Sequence, residues 1–218
     1  MSFAMKKEII IIGAGGHARS ITESVIANGY NIKYYFDKYT YDKFLFGYPI
    51  NSNLNISKSY KTNVLIAIAN NYIREKIYKE LKIEYKNISF PNIIDPSAKI
   101  SNFSNIGKGN MIMSNAFIGS NTKVMNFCIV NNNVSIDHDC VLSNFSSLAP
   151  SVTTGGNVQL GLRSSVGIGA IVKNNISIGN DTVIGASSYL NINANKSSVF
   201  YGIPAKFIRK ISEKDKKI

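Results

Sequence analysis

The stretch Ile112-Met113-Ser114-Asn115-Ala116-Phe117-Ile118-Gly119-Ser120-Asn121-Thr122-Lys123-Val124 decides the fold. Aliphatic residues stand at its first, seventh and thirteenth places, a spacing of six. A helical face needs a period near 3.6 and a half-buried strand a period of 2, so neither fits. The series extends in both directions. Ile94, Ile100 and Ile106 precede it, and Val130, Ile136, Leu142 and Leu148 follow. It breaks at Thr154 and resumes with Leu160, Val166, Val172, Ile178, Ile184 and Leu190. Sixteen of seventeen positions obey, and the phase never slips. Four places after each, a mostly small residue recurs, as at Ala98, Ala116, Thr122, Cys128, Cys140 and Ser164. Glycine often follows the aliphatic residue directly, as at Gly107, Gly119, Gly161 and Gly185.

A fixed period of six is the signature of a hexapeptide-repeat parallel β-helix. Each hexapeptide supplies one short strand and one corner of a triangular prism. Three make a coil, so seventeen make between five and six coils. The aliphatic residue fills the narrow interior, the small one fits beside it, and Gly or Asn is expected to take the tight corner geometry. Gly202-Ile203-Pro204-Ala205-Lys206 ends the repeats. Pro204 is expected to stop regular pairing there and the segment to cover the open end of the prism.

Before Ile94 the periodicity is different. Glu8–Ile12 reads as an apolar strand, Gly13-Ala14-Gly15-Gly16 as a tight turn, and His17 to Asn28 as a helix burying Ile21, Ser24 and Val25. Ile32–Phe36 and Val64–Ala69 read as further strands, and Asn71 to Lys82 as a second helix. Strand–helix–strand order in so short a span predicts a small parallel sheet of the nucleotide-binding kind. The expected division is a Rossmann-like α/β unit over 1–92, a left-handed β-helix over 93–200, and a cap with a basic tail over 201–218.

Composition excludes several classes. Hydrophobic residues make up 44% of the 218, which suits a globular chain. No apolar run reaches the roughly 18 residues that span a bilayer, and Ile9–Ile12 is too short for a signal peptide's apolar region, so the expectation is a cytoplasmic protein without a membrane role. Cys128 and Cys140 make neither a disulfide framework nor a metal cluster. The net charge of +12 invites nucleic acid, yet the lysines form no stripe interleaved with aromatics. The basic surface suits anionic small ligands instead, such as coenzyme A and nucleotide diphosphates.

The chain has two histidines. His138 follows the interior position Ile136 by two places, near a corner and outside the packed interior. An imidazole with an ordinary pKa near 6.5 suits proton removal at neutral pH, and Asp137 or Asp139 stands ready to orient it. Cys140 occupies an inward slot and reads as packing, which argues against a covalent acyl-enzyme. At Thr154-Gly155-Gly156-Asn157 an extra glycine lets the backbone approach a ligand, with a free N–H for an oxyanion. A zinc enzyme on this type of helix needs three histidine ligands, and the repeats offer one.

Gly13-Ala14-Gly15-Gly16-His17-Ala18 nearly fits the dinucleotide fingerprint, and Asp37 follows at the end of the second strand. The unit is half a dinucleotide fold, so a mononucleotide fits better than NAD, its diphosphate over the N–H groups of Gly13, Gly15 and Gly16. His17 reads as packing or capping the turn.

Hexapeptide repeats, the Gly-Ile-Pro-Ala-Lys close and the N-terminal Gly-Ala-Gly-Gly-His turn together resemble a subfamily of sugar acyltransferases. It contains the sialic acid O-acetyltransferases and the sugar-nucleotide N-acetyltransferases of bacillosamine and perosamine biosynthesis. Ile66-Ala67-Ile68-Ala69-Asn70-Asn71-Tyr72-Ile73-Arg74 is similar to the second nucleotide-site segment of the bacillosamine-pathway enzymes, and Ile136-Asp137-His138-Asp139-Cys140 to their catalytic one. The resemblance implies acetyl transfer from acetyl-CoA, a cosubstrate and not a resident cofactor, to the 4-amino group of a UDP-linked 4-amino-4,6-dideoxy-N-acetyl-hexosamine in bacterial glycan synthesis. It implies His138 as base, Asp139 as its partner and the Gly156 N–H at the thioester carbonyl. Asp37 and Lys38 would lie near the uridine, Asn70 near the sugar and Asn131 at the substrate, with Ile168, Gly185 and Ala186 along the acyl-CoA arm. It also implies a homotrimer with sites between subunits, and no metal. Two departures stand out: Ala69 where the family often has Gly, and Ser147 near where relatives can carry a second histidine facing coenzyme A. Alternatives left open are O-acetylation of sialic acid or another sugar, a GDP-perosamine-type acceptor, and a silent nucleotide-sugar-binding scaffold.

Overall fold

The computed structural model describes residues 7–57, 59–212 and 215. Of the cap and basic tail expected over 201–218, residues 213, 214 and 216–218 lie outside the described residues. Six strands and two helices come first: β1 (Lys7–Ile12), α1 (Gly16–Ala27), β2 (Tyr30–Phe36), β3 (Phe44–Leu45), β4 (Tyr48–Asn51), β5 (Thr62–Ile66), α2 (Asn71–Glu84) and β6 (Ile88–Ser89). They form one sheet in the order β3-β4-β2-β1-β5-β6, parallel except for the β3–β4 hairpin. The sheet is covered on both faces, which explains why β1 is a continuous isoleucine run. Ile9 and Ile11 pack with Ala18, Ile21 and Val25 of α1, while Ile10 and Ile12 pack with Leu81 of α2. β5 ends at Ile66, earlier than its apolar pattern suggests. The Ala67 N–H still donates to Ile12 O, and then the chain leaves to let Asn70 cap α2.

From Ile93 the chain winds into a left-handed parallel β-helix. Each turn carries three two-residue strands, and each strand pairs with the one eighteen residues on, as Met111–Ile112 does with Ile129–Val130. The aliphatic series packs into the interior, half-buried at Ile94, Ile100 and Ile106 and buried from Ile112 to Leu190, Thr154 included at 4% exposure. The hydroxyl of Thr154 is tolerated beside the Cys140 thiol, 3.8 Å away. The small column is equally buried, and its polar members find carbonyls on neighbouring coils. Thr122 Oγ1 donates to Asp137 O at 2.8 Å, and Ser164 Oγ to Gly179 O at 2.6 Å. Buried hydroxyls so satisfied cost little, and they tie coil to coil.

Asn and Gly take the tight corners as expected, Gly109 at φ +68° and Gly169 at +66° among them, while the glycine directly after the aliphatic residue does a different job. Positive φ falls three places after the aliphatic residue, at Asn115, Asn121, Asn133, Asp139, Asn157 and Asn175 among others, where Asn and Asp tolerate the left-handed region. The glycine immediately after the aliphatic residue instead permits close stacking. A Cβ on Gly161 or Gly167 would lie 2.5 Å from a backbone nitrogen of the next coil. Pro204 also departs from expectation. Pairing does not stop there, because Ser198–Gly202 and Ala205–Lys210 form an antiparallel hairpin with Pro204 in its turn, where no N–H is needed. Phe200 and Ala205 of that hairpin join the core of the prism.

The two halves share cores. Ile93, Met111 and Ile129 of the prism pack into the α1 side of the sheet, and Phe127 and Phe145 into the α2 side. Phe127 and Phe145, eighteen residues apart, stack at 5.1 Å with their planes 6° apart.

Candidate functional site

His138 stands on the vertex after the strand Ser135–Ile136, with its side chain 54% exposed. The vertex geometry aims it. Asp139 sits at φ 59° and folds its carboxylate back, so that Oδ2 lies 2.6 Å from His138 Nδ1. The other oxygen of Asp139 accepts from Asn121 Nδ2, one coil below. Asp137 turns the opposite way and accepts from the His138 backbone N–H at 2.8 Å. Of the two aspartates weighed as orienting groups, Asp139 is the one on the ring. The hydrogen bond to Asp139, followed by the charge of Asp137, raises the His138 pKa above its ordinary value. Hydrogen bonds from Asn121 and then His138 hold Asp139 below the usual carboxylate range. With Nδ1 engaged by a carboxylate, Nε2 is the free proton acceptor.

Gly156 lies one coil above. A Cβ there would fall 2.5 Å from His138 Cε1 and 2.6 Å from Nε2, so the ring rests against the bare glycine backbone. Cys140 is fully buried, its thiol within 3.4 Å of Gly155 O, and burial raises its pKa. A shielded thiol of that kind is a poor nucleophile.

At the carboxyl edge of the sheet, Gly13 adopts φ +98°, and a side chain there would strike Ile68. Gly15 caps α1 without a side-chain hydrogen bond, and a Cβ on Gly15 or Gly16 would meet nothing within 4 Å, so the backbone of the turn is uncrowded there. No acidic residue occupies the first turn of α1, leaving its positive end free for an anion. Asp37 is engaged locally. Oδ2 accepts from Ala14 N and Oδ1 from Tyr39 N, both at 2.9 Å, which stitches the glycine turn to the loop after β2. Lys38 lies apart from that turn, in a cleft between Phe36 and the far end of α2. Asn70 is the N-cap of α2, its side chain accepting from Ile73 N at 2.9 Å.

A third group of residues gathers along one face and vertex of the prism. Asn131, Ile168, Gly185 and Ala186 line a single cleft of about 380 Å³, together with Ser147 and His17. The Tyr201 ring packs on Gly185, where any Cβ would clash. The structure thus brings His138, Asp139 and Gly156 together on one vertex, and Asn131, Ile168, Gly185 and Ala186 together on another. It does not bring the two groups together within one chain.

Two residues of consequence escape a linear reading. Asn121 belongs to the base because it is one coil, eighteen residues, before Asp139, and the same step links His138 to Gly156. Arg74 is fully buried. Its guanidinium donates to Phe127 O, Phe145 O, Ile68 O, Ala69 O and Asn71 Oδ1, all within 3.0 Å, and so welds α2 to the prism. Burial lowers its pKa to about 10, so it stays charged at neutral pH.

Residues 8–81 match the family model of the PglD N-terminal domain. PerB from Caulobacter crescentus, solved with CoA and GDP-perosamine, superposes with a TM-score of 0.84 at 28% identity, covering 96% of this chain and 100% of that one. The acetyltransferase domain of PglB from Neisseria gonorrhoeae superposes with a TM-score of 0.85 at 26% identity, over 93% of this chain and 100% of that one, and has also been solved with acetyl coenzyme A. An uncharacterized protein, L142, of Acanthamoeba polyphaga mimivirus is 31% identical over 123 residues, which is 56% of this chain. The chain spans 24% of the length of that curated relative.

Proposed function

We propose that this chain is an acetyl-CoA-dependent N-acetyltransferase that acylates the 4-amino group of a UDP-linked 4-amino-4,6-dideoxy-N-acetyl-hexosamine. The observation that carries the reading is the pre-aimed His138–Asp139 pair beneath the Gly156 backbone, on a fold shared along nearly its whole length with sugar N-acetyltransferases. Acetyl transfer to an amine needs a neutral base, an oxyanion donor and a nucleotide-sugar cradle, and the chain offers a candidate for each. His138 Nε2 takes the proton as the amine attacks the thioester carbon. The C–N bond forms, the Gly156 N–H steadies the oxyanion, and the C–S bond breaks with the proton passing to the departing CoA sulfur. No acyl-enzyme is needed, in keeping with the buried Cys140.

The base and the candidate CoA residues stand on different vertices, which favours a homotrimer in which His138 of one chain meets acetyl-CoA held along the cleft of its neighbour. The α1 N-terminus and the glycine turn would hold the diphosphate. Among the described residues no helix is long and apolar enough to cross a membrane, and a cytoplasmic site of action is part of the proposal.

A GDP-linked acceptor is the second reading, favoured by the GDP-perosamine in the superposed PerB structure. Release of free CoA from acetyl-CoA tests both. The panel holds a UDP-4-amino-4,6-dideoxy sugar, GDP-perosamine and free sialic acid. Turnover confined to the UDP sugar and lost in His138→Ala supports the proposal. Turnover on the GDP sugar alone moves the assignment to the second reading, and turnover on sialic acid alone overturns N-acetylation.

A further inference from the structure

The cleft that holds Asn131 is finished by a residue from outside the repeats. Asn131, Ala149, Gly167 and Gly185 each follow an interior aliphatic residue on successive coils of one face. Tyr201 follows Phe200 in the same register, one layer above Gly185. All five line the cleft, so its floor runs over bare backbone at Gly167 and Gly185 and ends on an aromatic ring.

Gly185 differs from the other glycines of its kind. At Gly107, Gly161, Gly167 and Gly179 a Cβ would run into the backbone of the next coil. At Gly185 it would fall 1.9 Å from Tyr201 Cδ1 and 2.0 Å from Cε1. The missing side chain makes room for a tyrosine, which the C-terminal hairpin lays down across the end of the groove. Tyr201 is nevertheless 48% exposed, so an aromatic surface, anchored on one edge, stays open there. Such a surface holds another flat ring by stacking.

Charge and length indicate which ring. No lysine, arginine, aspartate or glutamate lines the cleft, which suits the amides and methyl groups of a pantetheine arm. A cation stands at its end: Lys206 is exposed and directly opposite Tyr201 in the hairpin, and such cross-strand partners share a face. Gly185 lies three coils beyond Asn131, about 14 Å along the axis at roughly 4.8 Å per coil. The pantetheine arm is equivalent to about four residues of extended chain, roughly 14 Å. An arm that starts beside Asn131 therefore gives way to its nucleotide at Tyr201.

We infer that Tyr201 is a donor-binding residue, its ring carrying the adenine of coenzyme A where the pantetheine arm leaves the groove, with Lys206 beside it for the phosphates. This role presupposes the acetyl-CoA reading above and adds the contact that tells the whole coenzyme from its pantetheine half.

Binding calorimetry with CoA and with 4′-phosphopantetheine tests it, on the parent, Tyr201→Phe and Tyr201→Ala. Tyr201→Ala should lose about tenfold or more in affinity for CoA, the usual effect of removing a base-stacking ring. Tyr201→Phe should stay within about twofold of the parent, since the ring is kept. Affinity for 4′-phosphopantetheine should be the same in all three, which also shows that the groove of Tyr201→Ala is intact. Unchanged CoA affinity in Tyr201→Ala overturns the assignment. So does an equal loss on 4′-phosphopantetheine, which would make the ring a wall of the groove, or a parent that binds both ligands equally well. Those three outcomes leave acetyl transfer standing. A parent that binds neither ligand removes the donor, and with it both this role and the function proposed above.

Discussion

Gly156 is the surface on which the His138 imidazole rests: a methyl group on its Cα would come within 2.6 Å of both Cε1 and Nε2. The relationship joins the proton acceptor to the backbone N–H that would meet the oxyanion. It also explains why a glycine must follow Gly155 in the coil above the base.

Gly156→Ala should therefore displace the ring and leave the fold intact, because His138 is half exposed and free to swing outward. Misplacing a catalytic group by about 1 Å costs on the order of 100-fold in rate. A fall of at least about tenfold in kcat, with an unchanged melting midpoint, is expected in the CoA-release assay. A fully active variant would sink the proposed geometry.

The pH dependence follows from the raised pKa of His138. The base works in its neutral form, so kcat should rise with pH and level off above the ordinary imidazole value of 6.5. Asp139→Asn removes the hydrogen bond that raises that pKa. It should shift the acid limb toward lower pH and cut the plateau by about tenfold or more. An unmoved limb would mean that another group sets it.

Cys140→Ala should retain kcat within about threefold, since its thiol is buried and directed at backbone carbonyls. Intact-mass spectrometry of the parent with acetyl-CoA should show no protein-bound acetyl group on Cys140. A stable adduct there would replace direct transfer with a two-step route.

Arg74→Met leaves the carbonyls of Phe127 and Phe145 without their donor in the junction between sheet and prism. Hydrogen bonds from a charged donor are worth about 1.5–3 kcal/mol each, so a loss of about 3 kcal/mol or more is expected in urea unfolding. Arg74→Lys should recover only part of it, because an ammonium cannot reach acceptors spread around a planar fork.

Acid should destabilise the protein through His17. Its folded pKa of about 4 lies below the ordinary imidazole value of 6.5. The unfolded chain thus takes up a proton that the folded chain refuses, and stability falls as pH drops from 6.5 toward 4. The slope is about 1.4 kcal/mol per pH unit within that window. Urea midpoints at pH 7.5, 6 and 4.5 should show this slope in the parent and a flatter one in His17→Phe.

The prism was legible because its pattern is local: each hexapeptide repeats the same demand for an aliphatic interior residue, and a single phase carries from Ile94 to Leu190. The strands of the first unit were legible from β1 and β2, whose isoleucines and tyrosines leave little choice. The β3–β4 hairpin was not, because Phe44 and Phe46 are exposed and the inward Leu45 and half-buried Tyr48 are too few to make a periodicity. His138 and Asp139 stand together in sequence and were found there. Asn121 and Gly156 join them only through the stacking of coils. Arg74 was read as part of a nucleotide segment, and its bonds to Phe127 and Phe145 cross 53 and 71 residues, a separation that no local pattern records. Asp37 shows the converse: it directly follows β2, as its place in the sequence suggests, yet both its oxygens are bonded to backbone N–H groups of Ala14 and Tyr39.

The eighteen-residue step between paired strands makes chain length itself a coordinate of the site. A deletion of one whole coil shortens the prism and leaves every column facing its former direction. A deletion of a single hexapeptide between Cys140 and Gly167 keeps the interior perfectly patterned, yet turns everything downstream by one third of a revolution. Ile168 and Gly185 would then leave their face of the prism while His138 kept its own. Sequences of this kind tolerate substitution widely and miscounting hardly at all, so insertions and deletions should fall in whole coils or at the ends of the series.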